Sequence, residues 1–293
     1  MRNMILGTDW WTDCDDAVAV RLVCRAVKEQ QIRLLGVGIN ACMEYSVASL
    51  KGFLESEGVA GVPLGIDLDA TNCGGTPSYQ KNLALALCPN GSNSDAEDSV
   101  RLYRRLLAES AEKVEIMEIG FLQVVVAVLE SAPDDLSPLN GMELVKEKVS
   151  KMWVMAGKWD ADGELEHNFC LNPKTRLAGK RFCELCPVPV TFLGWEVGFD
   201  VFSGGSLAED DVLHRILVDH GSGNGRNSWD PMLVLMALIG DEGDAGYDTV
   251  VGTASVDAET GANYFVRDVN GNHKYVIKKF ENAYYENAIN SLL

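Results

Sequence analysis

Short apolar segments with strand character alternate with segments of helical spacing along most of this 293-residue chain. The segment from Ile32 to Ile39, for example, is a nearly continuous apolar run, typical of a strand buried on both faces. Predicted strands at 4–6, 32–39, 62–66, 114–119, 151–155 and 188–193 alternate with predicted helices at 17–27, 47–54, 96–107, 122–129, after Pro173 and at 231–239. Such alternation builds βαβ units. It predicts an α/β fold with a mostly parallel central sheet flanked by helices, around a Rossmann-like core.

The pattern changes after Tyr247. Segments 249–256, 262–266 and 275–277 alternate like exposed strands and are separated by turn residues, and residues 281–292 have helical spacing. We expect a small antiparallel C-terminal appendage and a closing helix. Because no linker, repeat or low-complexity tract interrupts the chain, residues 1–293 are predicted to form one domain.

The charge balance excludes several partners. Lys and Arg number 25 against 43 Asp and Glu, a formal net charge of −18, which gives no electrostatic reason to bind nucleic acid or an anionic membrane. The longest strongly apolar run, Val124 to Leu129, is far shorter than the ~20 residues of a membrane span. No apolar leader precedes the early aspartates, and eight cysteines lie scattered among apolar neighbours. We therefore expect a cytoplasmic protein.

An acidic cluster follows the first predicted strand. Ligands of parallel sheets bind outside the carboxyl ends of the strands, and this is where Asp9, Asp13, Asp15 and Asp16 occur. Helix capping accounts for only two of them. An EF-hand does not fit, because Val18 stands where its loop requires glycine. Carboxylates this close repel unless a cation or hydrogen-bond donors neutralise them, so an oxygen-ligated Ca²⁺ or Mg²⁺ is favoured.

The same segment resembles a known signature. Ile5-Leu6-Gly7-Thr8-Asp9, followed by Asp15-Asp16-Ala17, is similar to the N-terminal motif of the inosine-uridine-preferring nucleoside hydrolases, whose Ile-Leu-Asp-x-Asp strand end and Asp-Asp-Ala helix start hold a catalytic Ca²⁺. The chain is a variant of that motif. Gly7 stands at the family's first Asp, and the turn is two residues longer, with Asp13 added.

Further segments resemble that family in the same order along nearly the whole chain. They are Gly38-Ile39-Asn40, Ile119-Gly120-Phe121-Leu122-Gln123, Val154-Met155-Ala156-Gly157, Glu166-His167-Asn168 and Ser228-Trp229-Asp230-Pro231. Each lies at a predicted strand end or helix start, which makes the series more specific than any one motif.

The resemblance implies a function and a set of site residues. It implies hydrolysis of the N-glycosidic bond of ribonucleosides to ribose and free base, in a homodimer or homotetramer. A Ca²⁺ ion would be held by Asp9, Asp16, the Gln123 carbonyl and Asp230, and Asp9 would activate a Ca²⁺-bound water. The substrate would contact Asp15, Asn40, Asp160, Glu166, Asn168 and Trp229.

The group that protonates the departing base is not evident. Trp229 stands where many relatives carry a histidine for this role, and an indole can stack on a nucleobase but cannot donate an acidic proton. No other histidine replaces it clearly; His220, in a polar glycine-rich loop, is more consistent with a surface residue. Five tryptophans (10, 11, 159, 195 and 229) fall at strand ends and predict an aromatic base pocket, although Trp11 and Trp195 also suit core packing.

Two other functions remain open. The missing acid and the altered turn are compatible with a non-catalytic ribose or nucleoside binder. The Asp13-x-Asp15 spacing is compatible with a metal-dependent phosphatase, although Lys158 alone would make a poor phosphate clamp.

Overall fold

The protein is described by a computed structural model that covers residues 1–11 and 13–293. Twelve strands are present in these residues. They are β1 (Arg2–Thr8), β2 (Ile32–Ile39), β3 (Leu64–Ile66), β4 (Glu97–Asp98), β5 (Val114–Glu118), β6 (Val149–Met155), β7 (Val190–Leu193), β8 (Phe202–Ser203), β9 (Arg226–Asn227), β10 (Tyr247–Val256), β11 (Asn263–Arg267) and β12 (His273–Lys278).

Ten of these strands form one sheet, in the order β11-β10-β12-β7-β6-β5-β1-β2-β3-β4. The eight strands from β12 to β4 are parallel, whereas β10 pairs antiparallel with both β11 and β12. The predicted α/β fold with a mostly parallel sheet and a small antiparallel C-terminal part is confirmed. That part continues the main sheet, because β12 pairs directly with β7.

Helices cover both faces of the sheet. They are α1 (Asp15–Lys28), α2 (Ser46–Ser56), α3 (Ser78–Leu87), α4 (Ser99–Glu109), α5 (Gln123–Glu130), α6 (Gly141–Lys148), α7 (His167–Cys170), α8 (Pro173–Leu185), α9 (Trp195–Gly198), α10 (Val212–His220), α11 (Trp229–Ile239) and α12 (Asn282–Asn290). One apolar layer contains α1, α2, α10, α11 and α12, and the other contains α4, α5, α6 and α8. None of the helices in the described residues is long and apolar enough to cross a membrane. All eight cysteines are free thiols.

A buried arginine fixes the direction of α1, whose first turn carries Asp15 and Asp16. The Arg21 guanidinium donates to both carboxylate oxygens of Asp211, at 2.8 and 2.7 Å, and to Glu57 at 2.9 and 2.6 Å. Asp211 is in turn the N-cap of α10, where it accepts from the backbone N–H of Leu213. One side chain thereby ties α1 to the end of α2 and the start of α10.

Replacing this arginine should destabilise the fold strongly. We expect Arg21→Leu to lower the free energy of unfolding by about 3–5 kcal/mol, because Glu57 and Asp211 would lose their cationic partner in a largely buried place. Urea denaturation measures the change. Arg101→Leu, which removes an exposed ion pair with Asp135, is the matched control and should leave the transition unchanged. Equal transitions for the two variants would contradict this role of Arg21.

Candidate active site and metal centre

A pocket of about 240 Å³ opens where the carboxyl ends of β1, β5, β6 and β7 meet. Its lining combines carboxylates at the base with aromatic rings around the opening. The lining residues are Asp9, Asp13, Asp15, Asp16, Ile119, Met155, Glu166, His167, Asn168, Trp195, Trp229 and Asp230. This is the place where a parallel sheet binds its ligand.

The loop between β1 and α1 is anchored in the core. Trp10 adopts a left-handed backbone conformation (φ 45°), its ring is fully buried, and its indole N–H donates to Ser49 Oγ at 2.9 Å. Its carbonyl accepts from the Gln80 amide, and the Tyr79 hydroxyl donates to the carbonyls of Trp11 and Asp13. Helix α3, which supplies Tyr79 and Gln80, therefore holds the acidic loop in place.

Four buried carboxylates converge at the base of the pocket. These are Asp9, Asp15, Asp16 and Asp230. Asp16 accepts from the Thr8 hydroxyl and from the Trp10 N–H, Asp9 accepts from the Trp11 N–H at 3.2 Å, and Asp15 accepts from the Asp230 N–H at 3.1 Å. Within residues 1–11 and 13–293, no Lys or Arg side chain hydrogen-bonds to any of the four.

Burial and mutual repulsion make these groups hard to ionise. Burial, followed by the charges of neighbouring carboxylates, raises the pKa of Asp9 to about 8 and raises the pKa values of Asp15, Asp16 and Asp230 well above their usual range. Carboxylate oxygens of Asp15, Asp16 and Asp230 all lie within 4.8 Å of one another, so these three could hold a metal ion. A donor set made only of carboxylate oxygens suits a hard divalent cation such as Ca²⁺ or Mg²⁺.

Asp13 has a different environment from the other aspartates. Its carboxylate pairs with the guanidinium of Arg226 through two hydrogen bonds of 2.8 and 2.5 Å. Although burial acts in the opposite direction, the hydrogen bond from Arg226 lowers the pKa of Asp13. The guanidinium also lies over the ring of Trp229, 5.3 Å from its centroid. Sequence analysis missed Arg226, because nothing in its local pattern indicates a partner 213 residues away.

The start of α7, which follows β6 along the chain, presents two polar side chains to the pocket. Glu166 accepts from the backbone N–H groups of Gly157 and Asn168, both at 2.9 Å, and the Asn168 amide donates to the Met155 carbonyl at 2.9 Å. Burial raises the pKa of Glu166 to about 7. These contacts hold Glu166 and Asn168 against the end of β6.

Aromatic rings form the rim of the pocket. The rings of Trp195 and Trp229 stack with centroids 6.3 Å apart, and the Trp229 indole donates to the Trp195 carbonyl at 2.7 Å. His167, which the sequence analysis did not assign, is exposed at the rim and stacks on Trp11 at 6.0 Å. The sequence feature that could have identified His167 as a pocket residue is its position between Glu166 and Asn168, two predicted site residues.

The prediction of a five-tryptophan pocket is wrong in part. Trp10 and Trp159 belong to the two main apolar layers, and Trp11 lies in a small buried cluster with Phe121. Trp195, for which core packing was an alternative, lines the pocket together with Trp229.

Three predicted site residues lie outside the pocket lining. Asn40 is buried beneath it, and Gln123 donates its amide to the Asn40 carbonyl at 2.5 Å. Asp160 is half-exposed and pairs with Lys158 at 3.2 Å, and its contact with the sugar stays a prediction. A metal-binding role for the Gln123 carbonyl stays a prediction.

His220 is the last residue of α10 rather than part of an open loop. Its Nδ1 lies 2.9 Å from Ser222 Oγ, and its ring lies close to Asp13 and Cys14 at the side of the pocket. It does not line the pocket itself.

No family model and no curated protein matches the chain. Solved structures do match in fold. An inosine-uridine-preferring nucleoside hydrolase from Bacillus anthracis superposes with a TM-score of 0.67 at 14% identity, covering 100% of this chain and 99% of that one. A purine-preferring ribonucleoside hydrolase from Gardnerella vaginalis gives 0.68 at 13% identity, covering 98% and 96% of the two chains.

The same fold is found in a protein described as an effector. The type III effector protein XopQ, solved in complex with adenosine diphosphate ribose, gives a TM-score of 0.70 at 15% identity and covers 99% of this chain and 93% of its own. At these identities the comparisons define the architecture. The chain has the nucleoside hydrolase fold, and a fold of this kind hosts more than one function.

The raised pKa of Asp9 predicts an unusual pH dependence of stability. A carboxyl whose pKa is raised on folding, here to about 8, binds its proton more tightly in the native state, so its stabilising contribution is lost as pH rises from about 4 to 8. We expect the Tm in a chelating buffer to fall across this range, and Asp9→Asn to have a Tm roughly 5 °C higher than the wild type at pH 8. Scanning fluorimetry at each pH tests this. Parallel curves for the two proteins would contradict it.

Proposed function

We propose that the protein hydrolyses the N-glycosidic bond of ribonucleosides, releasing ribose and a free base, with Ca²⁺ bound by carboxylates of the pocket. One observation carries the proposal. Buried carboxylates from the end of β1 and the starts of α1 and α11 share a single pocket with Glu166, Asn168 and an aromatic rim, in a nucleoside hydrolase fold.

The carboxylates fit the proposed cation. Asp15, Asp16 and Asp230, whose carboxylate oxygens lie within 4.8 Å of one another, would hold it together with Asp9 of the same pocket, and charge neutralisation would offset the cost of burying four aspartates. A bound divalent cation supplies a water of lowered pKa and a positive charge toward the sugar hydroxyls. Among the described residues no Lys or Arg side chain hydrogen-bonds to these four groups, which supports a cationic ligand.

The chain's own residues would perform the remaining steps. Asp9, at the strand end, would accept the proton of the attacking water. Asp15, Glu166 and Asn168 would orient the ribose by hydrogen bonds, and the backbone contacts of Glu166 and Asn168 keep both side chains in place for that task. This arrangement would leave the base to project toward the rim.

The rim suits a planar base. The rings of Trp195 and Trp229 both line the pocket, and the N–H of Trp229 is already used by the Trp195 carbonyl. Trp229 would therefore bind the base through its ring and not through its polar atom.

A non-catalytic binding function is the second candidate. The solved complex of XopQ with adenosine diphosphate ribose shows that this fold is also found in an effector protein. The phosphatase alternative has less support, since the carboxylate of Asp13 is held by Arg226 and is not free to act as a nucleophile.

A nucleoside panel tests the proposal directly. We expect the wild-type protein with Ca²⁺ to release reducing ribose from at least one purine or pyrimidine nucleoside, and Asp9→Asn to lower kcat by about 100-fold or more. Calorimetry with the same nucleosides and with adenosine diphosphate ribose is run in parallel. Binding without ribose release, unaffected in Asp9→Asn, would favour the non-catalytic function. No ribose from any nucleoside with Ca²⁺ bound would overturn the proposal.

Replacing Trp229 tests the role of the rim. We expect Trp229→Ala to raise KM about tenfold, because the base loses the ring on which it stacks. Trp229→Phe is the control, since it keeps an aromatic face and loses only the N–H bond to Trp195; its KM should stay close to the wild-type value. Equal KM values in Trp229→Ala and the wild type would exclude a contact between this ring and the base.

A further inference from the structure

A fully buried carboxylate lies beneath the pocket and has no role in the steps proposed above. Glu118 is the last residue of β5, and it pairs in register with Gly7 on the neighbouring strand β1. Its side chain is completely excluded from solvent. Burying a carboxyl group is costly unless its oxygens are hydrogen-bonded, so its contacts indicate why it is tolerated there.

The absence of a side chain at Gly7 makes room for this carboxylate. A Cβ built on Gly7 would overlap with it, since even Glu118 Oε1, the farthest of the three nearest atoms, would lie only 2.5 Å away. Any larger residue at position 7 is therefore incompatible with the present conformation of Glu118. The two positions are complementary across the β1–β5 ladder.

The carboxylate is bound by two side chains from different elements. The Tyr103 hydroxyl of α4 donates to Oε1 at 2.8 Å, and the Asn40 amide approaches Oε2 at 3.5 Å. The other amide atom of Asn40, Oδ1, accepts from the backbone N–H of Phe121 at 3.0 Å. Glu118 thereby orients an amide that fixes the turn after β5.

That turn packs closely against Asp9, with no room for a side chain at Gly120. Asn40 donates its backbone N–H to the Thr8 carbonyl at 2.9 Å, directly before Asp9. A Cβ built on Gly120 would lie 2.6 Å from Asn40 Oδ1 and 3.0 Å from the Cβ of Asp9. Asn40, the 119–123 turn and Asp9 are therefore packed closely together, and we expect a displacement of the Asn40 side chain to disturb the turn or Asp9.

We infer that Glu118 is a positioning residue, which supplies a carboxylate from β5 into the space that Gly7 leaves on β1 and holds Asp9 and the 119–123 turn in place through Asn40. The inference rests on the proposed function only for its activity readout. The signature that the chain resembles has Asp at the position of Gly7, so a carboxylate can be returned to this space from β1.

Glu118→Met removes both acceptor oxygens and keeps the length of the side chain. Groups that orient metal ligands typically change metal affinity 10- to 100-fold when removed. We expect calorimetric Ca²⁺ affinity to weaken by that factor, kcat to fall similarly, and hydrogen exchange of peptides covering 119–123 to become faster. Unchanged exchange together with unchanged Ca²⁺ affinity would overturn the inference.

Moving the carboxylate from β5 to β1 tests whether Glu118 positions Asn40 or only fills space. Glu118→Ala alone should reproduce the effects of Glu118→Met. The double variant Gly7→Asp/Glu118→Ala returns a carboxylate from β1. We expect its Ca²⁺ affinity and its hydrogen-exchange rate at 119–123 to lie within a few-fold of the wild-type values. Gly7→Ala/Glu118→Ala fills part of the space without a carboxylate and should not recover either. Equal recovery in both double variants would show that Glu118 only fills space.

The readouts distinguish failure of this inference from failure of the proposed function. Exchange at 119–123 needs neither Ca²⁺ nor a substrate, so a response there supports the positioning role even if the wild type hydrolyses no nucleoside. Suppose that the wild type hydrolyses nucleosides and that Glu118→Met has the same hydrogen exchange at 119–123, the same Ca²⁺ affinity and the same kcat. That result would overturn the inference and leave the proposed function intact.

Discussion

Buried negative charge is the constraint on which the rest of this structure depends. Four carboxylates share the base of one pocket, and burial together with mutual repulsion disfavours their ionised forms. Such a cluster persists only if the surrounding chain holds it firmly. The buried ring of Trp10, the hydrogen bonds from α3 to the acidic loop, and the Arg21 contacts that direct α1 all serve this purpose. Burying these carboxylates lowers the stability of the folded protein, as is common at functional sites.

The parallel part of the fold was predictable because its strands are buried on both faces and therefore appear as continuous apolar runs. The prediction of β2 matches the observed strand at both ends. Helices α3, α6, α7, α9 and α10 were missed. Each is short, and α6 and α10 begin with local side-chain caps from Asn140 and Asp211 rather than with a long apolar period. Their positions depend on tertiary packing that a single sequence does not display.

Much of the candidate site was also predictable, because topology alone brings the residues that follow β1 and β6 to one edge of the sheet. Side-chain direction was not. Trp10 and Trp195 both follow strands, yet one ring enters the core and the other faces the pocket. The Asp13–Arg226 pair depends on loop geometry between distant segments. The role inferred for Glu118 requires knowing that it lies opposite Gly7, which is a matter of strand register.

The separation of Asp13 and Arg226 by 213 residues has a consequence for how the molecule is made. At a ribosomal rate of about 5–20 residues per second, roughly 10 to 40 seconds pass between the synthesis of the two residues. During most of that interval the acidic loop has been made, while Arg226 and Asp230 have not. The pocket that buries these carboxylates can therefore be completed only late in the synthesis of the chain.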